Sequence, residues 1–65
     1  MTERTRRPVA GSAYQISDGR YKGRLCKVVE IIHKTDRDFV KVIFLDSFGH
    51  ATKDMDIIPA SYLVI

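Results

Sequence analysis

The most reactive side chains of this sequence belong to a single cysteine and two histidines. A nucleophilic cysteine needs a base within hydrogen-bond reach and a third group that orients the base. Cys26 and His33 fall in one predicted strand, roughly 23 Å apart if that strand is extended. His50 lies beside a turn glycine and could reach Cys26 only through folding. We predict a buried structural thiol at Cys26, surface or turn positions for both histidines, and no catalytic residues.

Two pairs of aspartates could hold a divalent cation. Asp36 and Asp38, and likewise Asp54 and Asp56, are two residues apart, which places both carboxylates of a pair on one face of a strand. No Asp-x-Asp-x-Asp-Gly loop and no nearby histidine completes a metal shell. Charges that protect turns and strand edges are the simpler explanation. The sequence also lacks a glycine-rich phosphate loop that opens a helix, so we predict neither a metal nor a cofactor.

Basic residues crowd into the stretch "SDGRYKGRLCK", residues 17–27. Cations of this kind bind phosphates, and an aromatic ring can stack on an unpaired base. Glycines on either side of the tyrosine let the backbone turn close to a ligand. The candidate nucleic-acid-binding residues, three of them from the N-terminal arm, are Arg4, Arg6, Arg7, Arg20, Tyr21, Lys22, Arg24 and Lys27. The alternative is that the Tyr21 ring packs on the rim of the domain while the cations stay solvated.

The charge of the chain is unevenly distributed. The net charge of +3 combines seven basic and two acidic residues in 1–27 with four basic and six acidic residues in 28–65. This asymmetry favours a polyanion or an acidic protein surface as partner, although a small net charge also serves solubility alone. One cysteine excludes an internal disulfide and a thiolate zinc cluster, and it indicates a reducing, cytoplasmic setting. We see no apolar stretch of the kind that makes a secretory signal or a membrane span.

Frequent turn signals divide the 65 residues into short extended segments. No segment has the apolar spacing that an ordinary helix of about 11 residues needs. Branched and aromatic residues favour strands, and closure into a barrel would remove exposed sheet edges. We therefore predict one all-β domain, a small barrel over residues 12–65 preceded by a flexible basic arm over residues 1–11. The predicted strands are 13–16, 25–33, 39–45, 51–58 and 63–65, with a single helical turn at 59–62.

Alternation along the predicted strands separates a core face from an outer face. The predicted core consists of Tyr14, Ile16, Val28, Ile31, Val40, Val42, Phe44, Ile57 and Leu63. The other apolar residues of the third strand and its turn are candidates for a protein-interaction surface, namely Phe39, Ile43, Leu45 and Phe48.

The stretch from residue 17 to residue 31 resembles a KOW motif. Gly19, Tyr21, Lys22, Gly23, Arg24, Val28 and Ile31 fall in register with that pattern, while Cys26 stands where the motif has its second glycine. KOW motifs belong to SH3-like barrels of bacterial transcription elongation factors and some large-subunit ribosomal proteins. The resemblance implies an SH3-like barrel of about five strands whose basic loop touches RNA or protein.

Two functions follow from these observations. The first is a small module that binds the RNA or DNA backbone through the basic loop and the arm. The second is an adaptor or regulator that docks on a protein of the transcription or translation machinery, or on another acidic protein surface. No triad, metal shell or cofactor loop points to an enzyme.

Overall fold

The computed structural model of the chain describes residues 7–64. One antiparallel sheet holds the strands in the order β1-β2-β3-β4, so that each strand pairs with the next along the chain. The strands are β1 (Ala13–Gln15), β2 (Leu25–His33), β3 (Asp38–Leu45) and β4 (Ala51–Pro59), followed by a 3-10 helix at Ala60–Tyr62. The all-β class is confirmed, and β2 begins and ends at the predicted residues.

The core lies on one face of this sheet. In β3 the buried Val40, Val42 and Phe44 alternate with partly exposed residues, as a strand with one packed face requires. The buried residues, all apolar, are Ile16, Cys26, Val28, Val40, Val42, Phe44, Ile58 and Leu63. Tyr14 and Ile31 are partly buried and pack against them.

One predicted core residue is wrong. Ile57 is 51% exposed, and its neighbour Ile58 is buried in its place. The register pairs Val40 with Ile58 and Lys41 with Ile57, so the core face of β4 carries Ile58. The strand also includes Pro59, which was predicted to begin the helical turn.

Two irregularities bend the long strands. The pairing of β2 with β3 shifts register between Val28 and Glu30, and the pairing of β3 with β4 shifts between Ile43 and Leu45. Extra residues on one strand of a pair increase the local twist and bend the strand. These shifts let a four-stranded meander curve around a single small core.

The predicted fifth strand is replaced by a short contact. Leu63 forms one antiparallel bridge with Ile16. The Ser17 N–H donates to the Tyr62 carbonyl at 2.6 Å, and the Val64 N–H donates to the Gln15 carbonyl at 2.9 Å. After the 3-10 helix only two described residues remain, too few for a ladder. The sheet of the described residues therefore has four strands, not five.

The end of the predicted arm is hydrogen-bonded to the sheet. The Gly11 N–H donates to the Val28 carbonyl at 2.7 Å, and the Val28 N–H donates to the Ser12 carbonyl at 3.0 Å. The Val9 N–H also donates to the Tyr14 hydroxyl at 2.9 Å. These contacts extend the β1–β2 pairing toward the N-terminus. Residues 1–6 of the predicted arm lie outside the described residues.

Candidate functional site

Residues 17–24, which we call the basic loop, connect β1 to β2. Its two ends are joined by bonds from the Ile16 N–H to the Arg24 carbonyl and from the Gly23 N–H to the Ile16 carbonyl, at 2.9 and 2.7 Å. Gly19 and Gly23 have φ values of +80° and +90°, which glycine adopts readily. A Cβ on Gly19 would lie 2.6 Å from Cε2 of Tyr62, because the loop packs directly on that ring.

Tyr21 faces the domain and not the solvent. Its ring is partly buried and packs on Phe44, with 4.6 Å between the ring centroids. Its hydroxyl donates to Oδ2 of Asp56. The hydrogen bond to Asp56, with some burial, raises the pKa of the tyrosine hydroxyl. The Tyr21 ring is therefore engaged in packing, which is the alternative that the sequence left open.

Asp56 ties the basic loop to β4. Its Oδ2 accepts the Tyr21 hydroxyl, and its Oδ1 accepts the backbone N–H of Ile57 at 2.7 Å. These two hydrogen bonds, led by that from Tyr21, lower the pKa of the Asp56 carboxyl below its ordinary value of 3.8. The sequence interpretation treated Asp56 only as a strand-edge charge. The signal for its role is its core-facing position opposite Val42, where a carboxylate needs a partner.

The structure gathers three of the predicted cations on the basic loop and separates the others. The Arg20 guanidinium carbon lies 5.6 Å from the Tyr21 ring centroid, and that of Arg24 lies 4.7 Å from the Phe44 ring centroid. Lys22 is exposed between them along the loop. Lys27 lies in β2, paired with Ala13 and Ile43, on the side of the sheet away from the core. Arg7 is exposed, while Arg4 and Arg6 lie outside the described residues.

The side of β2, β3 and β4 that points away from the core forms a second surface, which we call the outer face. Cross-strand pairs place Ile43 between Lys27 and Met55, and Lys41 between Glu30 and Ile57. Farther along, Phe39 lies between Ile32 and Pro59. Leu25 and Leu45 also point away from the core, at the other end of β2 and β3. Val29 is the extra residue of the β2 bulge.

Exposure on the outer face differs from the prediction. The predicted residues Phe39, Ile43 and Leu45 lie on this face but are partly buried. The sequence interpretation missed the more exposed apolar side chains, Leu25, Val29, Met55 and Ile57, which are 44 to 51% exposed. That these side chains point away from the core can be found only once the register of β2 and β4 is known.

Phe48 occupies the tip of the β3–β4 hairpin and is 82% exposed. Oδ1 of Asp46 accepts the N–H groups of Phe48 and His50, each at 2.9 Å. A backbone bond from the Gly49 N–H to the Asp46 carbonyl closes the turn further. The turn therefore holds the Phe48 ring outward in one backbone conformation.

The remaining candidate groups are dispersed. Cys26 is fully buried, and burial raises the pKa of its thiol, so its predicted role as a structural thiol is supported by its position. His33 is exposed at the end of β2, where its Nδ1 lies 3.0 Å from Oδ1 of Asp38. Within residues 7–64 no three histidine, cysteine or acidic side chains converge as metal ligands would. Nor does that part of the chain contain a helix long and apolar enough to cross a membrane.

Comparison with known proteins gives no relative: no family model, curated protein or solved structure matches the chain. The resemblance to a KOW motif therefore stays a prediction that rests on residues 17–31.

Proposed function

We propose that the chain is a small nucleic-acid-binding module that contacts the RNA or DNA backbone through the basic loop. The observation that carries this proposal is the exposed set Arg20, Lys22 and Arg24 on a loop whose backbone is tied at both ends. Bonds within the loop and the link from Tyr21 to Asp56 limit the conformations that binding would have to select. A preorganised set of cations loses little entropy when it meets phosphates.

The proposed mode of contact is electrostatic. The Tyr21 ring packs on Phe44, which leaves the cations rather than the ring as the groups offered to a ligand. Contacts to phosphates alone carry no sequence information, so the module is proposed to bind without sequence preference. In this proposal it acts in the cytoplasm, uses no cofactor and catalyses no reaction.

The fold proposed for the module is an SH3-like barrel of the KOW type. Support comes from the bridge between Ile16 and Leu63, which brings the segment after the 3-10 helix back to the end of β1. The backbone bonds of Ser17 and Val64 flank this bridge on both sides. The basic loop, with glycines at its two positive φ angles, also connects the first two strands, as the loop of a KOW motif would.

A salt titration tests the nucleic-acid proposal. Labelled single-stranded RNA and duplex DNA would be titrated with the chain at several salt concentrations, starting near about 50 mM. We expect affinity to fall with salt, and Lys22→Gln to reduce the slope of log affinity against log salt by about 0.7 to 0.9. Lys34→Gln, in the β2–β3 turn at the other end of β2, is the matched control and should change the slope less. A salt-independent response, or equal effects of both variants, would contradict the proposal.

A protein-binding adaptor is the second candidate function. The observation that favours it is the row of half-exposed apolar side chains on the outer face, which is a different surface from the basic loop. Exposed apolar side chains that adjoin one another mark interaction sites more often than chance exposure does. A component of the transcription or translation machinery is the class of partner proposed for it.

A further inference from the structure

The outer face has a composition that folding alone does not explain. Side chains on the solvent side of a two-faced sheet are usually polar, and the cluster of buried side chains in the described residues lies on the other side. Yet Met55 and Ile57, both on β4, are 46% and 51% exposed. Cross-strand pairing makes them neighbours of Ile43 and Lys41, so the apolar groups adjoin one another across two strands.

Lysines are set into this apolar surface. Lys27 pairs across the sheet with Ile43, and Lys41 pairs with Ile57. Glu30 stands opposite Lys41 and is the one carboxylate that the pairing of β2 with β3 places there. Within residues 7–64 the ion pair that forms joins His33 to Asp38, away from both lysines. Among these residues neither ammonium group is held by a carboxylate.

From this arrangement we infer that the outer face binds an acidic, amphipathic protein segment, an inference that rests on the second candidate function. Apolar side chains of the segment cover Ile43, Met55 and Ile57, while its carboxylates meet Lys27 and Lys41. Burial of the apolar groups supplies the affinity, and the lysines select an acidic partner over a basic one.

The edge of β4 argues against a partner that adds a strand. A strand can add only where backbone N–H groups are free to pair. On β4 the Ile57 N–H is already bonded to Oδ1 of Asp56, and that carboxylate is held in turn by Tyr21. A strand added here would have to displace that hydrogen bond, so a partner that lies across the outer face is the better fit.

A second copy of the chain is a poorer occupant. Two outer faces brought together would collect Lys27 and Lys41 of both copies in one interface, where Glu30 of each copy offsets only part of the positive charge, and like charges at close range are unfavourable. The overall charge of +3 adds to this repulsion. An acidic segment meets neither obstacle.

The experiment uses two synthetic helical peptides as probes, with the full chain as receptor. Both carry leucines on one face, and the other face carries glutamates in the first peptide and lysines in the second. Fluorescence anisotropy should show the glutamate peptide binding at least about tenfold more tightly than the lysine peptide. Ile57→Ser should weaken binding of the glutamate peptide, and Lys27→Glu combined with Lys41→Glu should reverse the preference between the peptides.

Matched control variants, and a check that each variant is folded, make the change in peptide binding interpretable. Val9→Ser replaces another apolar residue, 58% exposed and outside the outer face, and Lys34→Glu reverses a charge in the β2–β3 turn. Neither control should change binding, and each variant would first be shown folded by circular dichroism and urea denaturation.

The possible failures are distinguishable. If Ile57→Ser abolishes binding but both peptides bind equally, the acidic class is wrong while docking on this face stands. If neither peptide binds, the inference and the second candidate function both fail. If sedimentation shows a dimer that Ile57→Ser dissociates, a second copy is the occupant. If RNA binding is lost with Ile57→Ser, the face serves nucleic acid instead of protein.

Discussion

Asp56 links two parts of the chain that lie 35 residues apart, because its carboxylate accepts the Tyr21 hydroxyl. The pKa of Asp56 is lowered in the folded state, first by this hydrogen bond and then by that from the Ile57 N–H. A lowered carboxyl pKa contributes stability that is present above the unfolded pKa and is lost as pH falls through the folded pKa. The link between the basic loop and β4 is therefore sensitive to acid.

We expect Asp56→Asn to flatten the acid limb of the stability curve. Wild type should lose free energy of unfolding as pH falls below about pH 5 and on through the folded pKa, which lies below 3.8, and the variant should lose less, so that the two converge at low pH. Urea denaturation at several pH values measures this. Asp54→Asn removes an exposed carboxylate from the same strand and is the control. Parallel curves for wild type and Asp56→Asn would contradict the link.

The same link predicts an alkaline effect. The pKa of Tyr21 is raised above 10.0, mainly by its hydrogen bond to Asp56. A raised pKa gives stability that is complete below the unfolded value and is lost as pH rises through the folded value. Tyr21→Phe should therefore reduce the loss of stability above about pH 10, as followed by urea denaturation. Tyr14→Phe is the comparison, because the Tyr14 hydroxyl accepts the Val9 N–H.

The two glycines of the basic loop differ in their surroundings. Both have positive φ, so alanine at either position should cost about 1 kcal/mol or more of stability through backbone strain. Only at Gly19 would the added Cβ also meet the Tyr62 ring, whereas nothing lies within 4 Å at Gly23. Gly19→Ala should thus lower the urea midpoint more than Gly23→Ala. Equal midpoints would mean that the Tyr62 ring yields without cost.

For single residues, the sequence indicated which side chains are close along the chain but not what they contact in the fold. From the sequence alone, the Tyr21 ring could equally well stack on a base or pack against the domain. The choice depends on Phe44 and Asp56, which arrive from β3 and β4 through the sheet pairing. Contacts of such long sequence separation leave no local pattern.

At the scale of elements, the two adjacent isoleucines of β4 show where alternation alone misleads. Ile57 shares its face of the strand with Met55, whereas Ile58 shares its face with Asp56, so the face of Ile57 looks the more apolar in the sequence. The register nevertheless pairs Ile58 with the buried Val40, which puts Ile57 on the side away from the core. In β3 alternation correctly predicted the core residues.

The register predicts unequal costs for the same substitution at neighbouring positions. Ile58→Val removes a buried methylene and should cost about 0.5 to 1.5 kcal/mol. Ile57→Val changes a half-exposed side chain and should stay within about 0.5 kcal/mol. Urea denaturation of the two variants side by side is the measurement. A larger loss for Ile57→Val would mean that β4 is shifted by one residue.

The β3–β4 hairpin turn contains one residue that stabilises the turn, Asp46, and one whose ring is mainly exposed, Phe48. Asp46 accepts two backbone N–H groups of the turn, so Asp46→Ala should cost about 1 to 2 kcal/mol of stability. Phe48→Ser removes a ring that is 82% exposed and should change stability by no more than about 0.5 kcal/mol. Thermal unfolding of both variants tests this contrast. A large loss for Phe48→Ser would show that its ring packs on the domain.

At the scale of the whole molecule, composition and turn spacing were enough to predict the all-β class. They could not predict how the segment after the 3-10 helix meets the end of β1, since that contact depends on a few long-range bonds. Leu63 was correctly predicted to be buried, but it meets Ile16 through one bridge and not through a strand. Within the described residues these two segments share a single bridge, and no local pattern in the sequence distinguishes such a bridge from a ladder.

The contact between β1 and the segment after the 3-10 helix leads to a prediction about the cooperativity of unfolding. The amides of Ser17 and Val64 donate across the gap between β1 and the segment after the 3-10 helix. If this contact belongs to the same cooperative unit as the sheet, these amides should exchange with deuterium only on global unfolding, as we also expect for the amides of β2 and β3. The Gly49 amide, bonded within the hairpin turn, is the comparison and should exchange faster by local opening. Fast exchange at Ser17 and Val64 beside slow exchange in β2 and β3 would mean that the sheet opens at this contact, which would remove the main support for an SH3-like barrel.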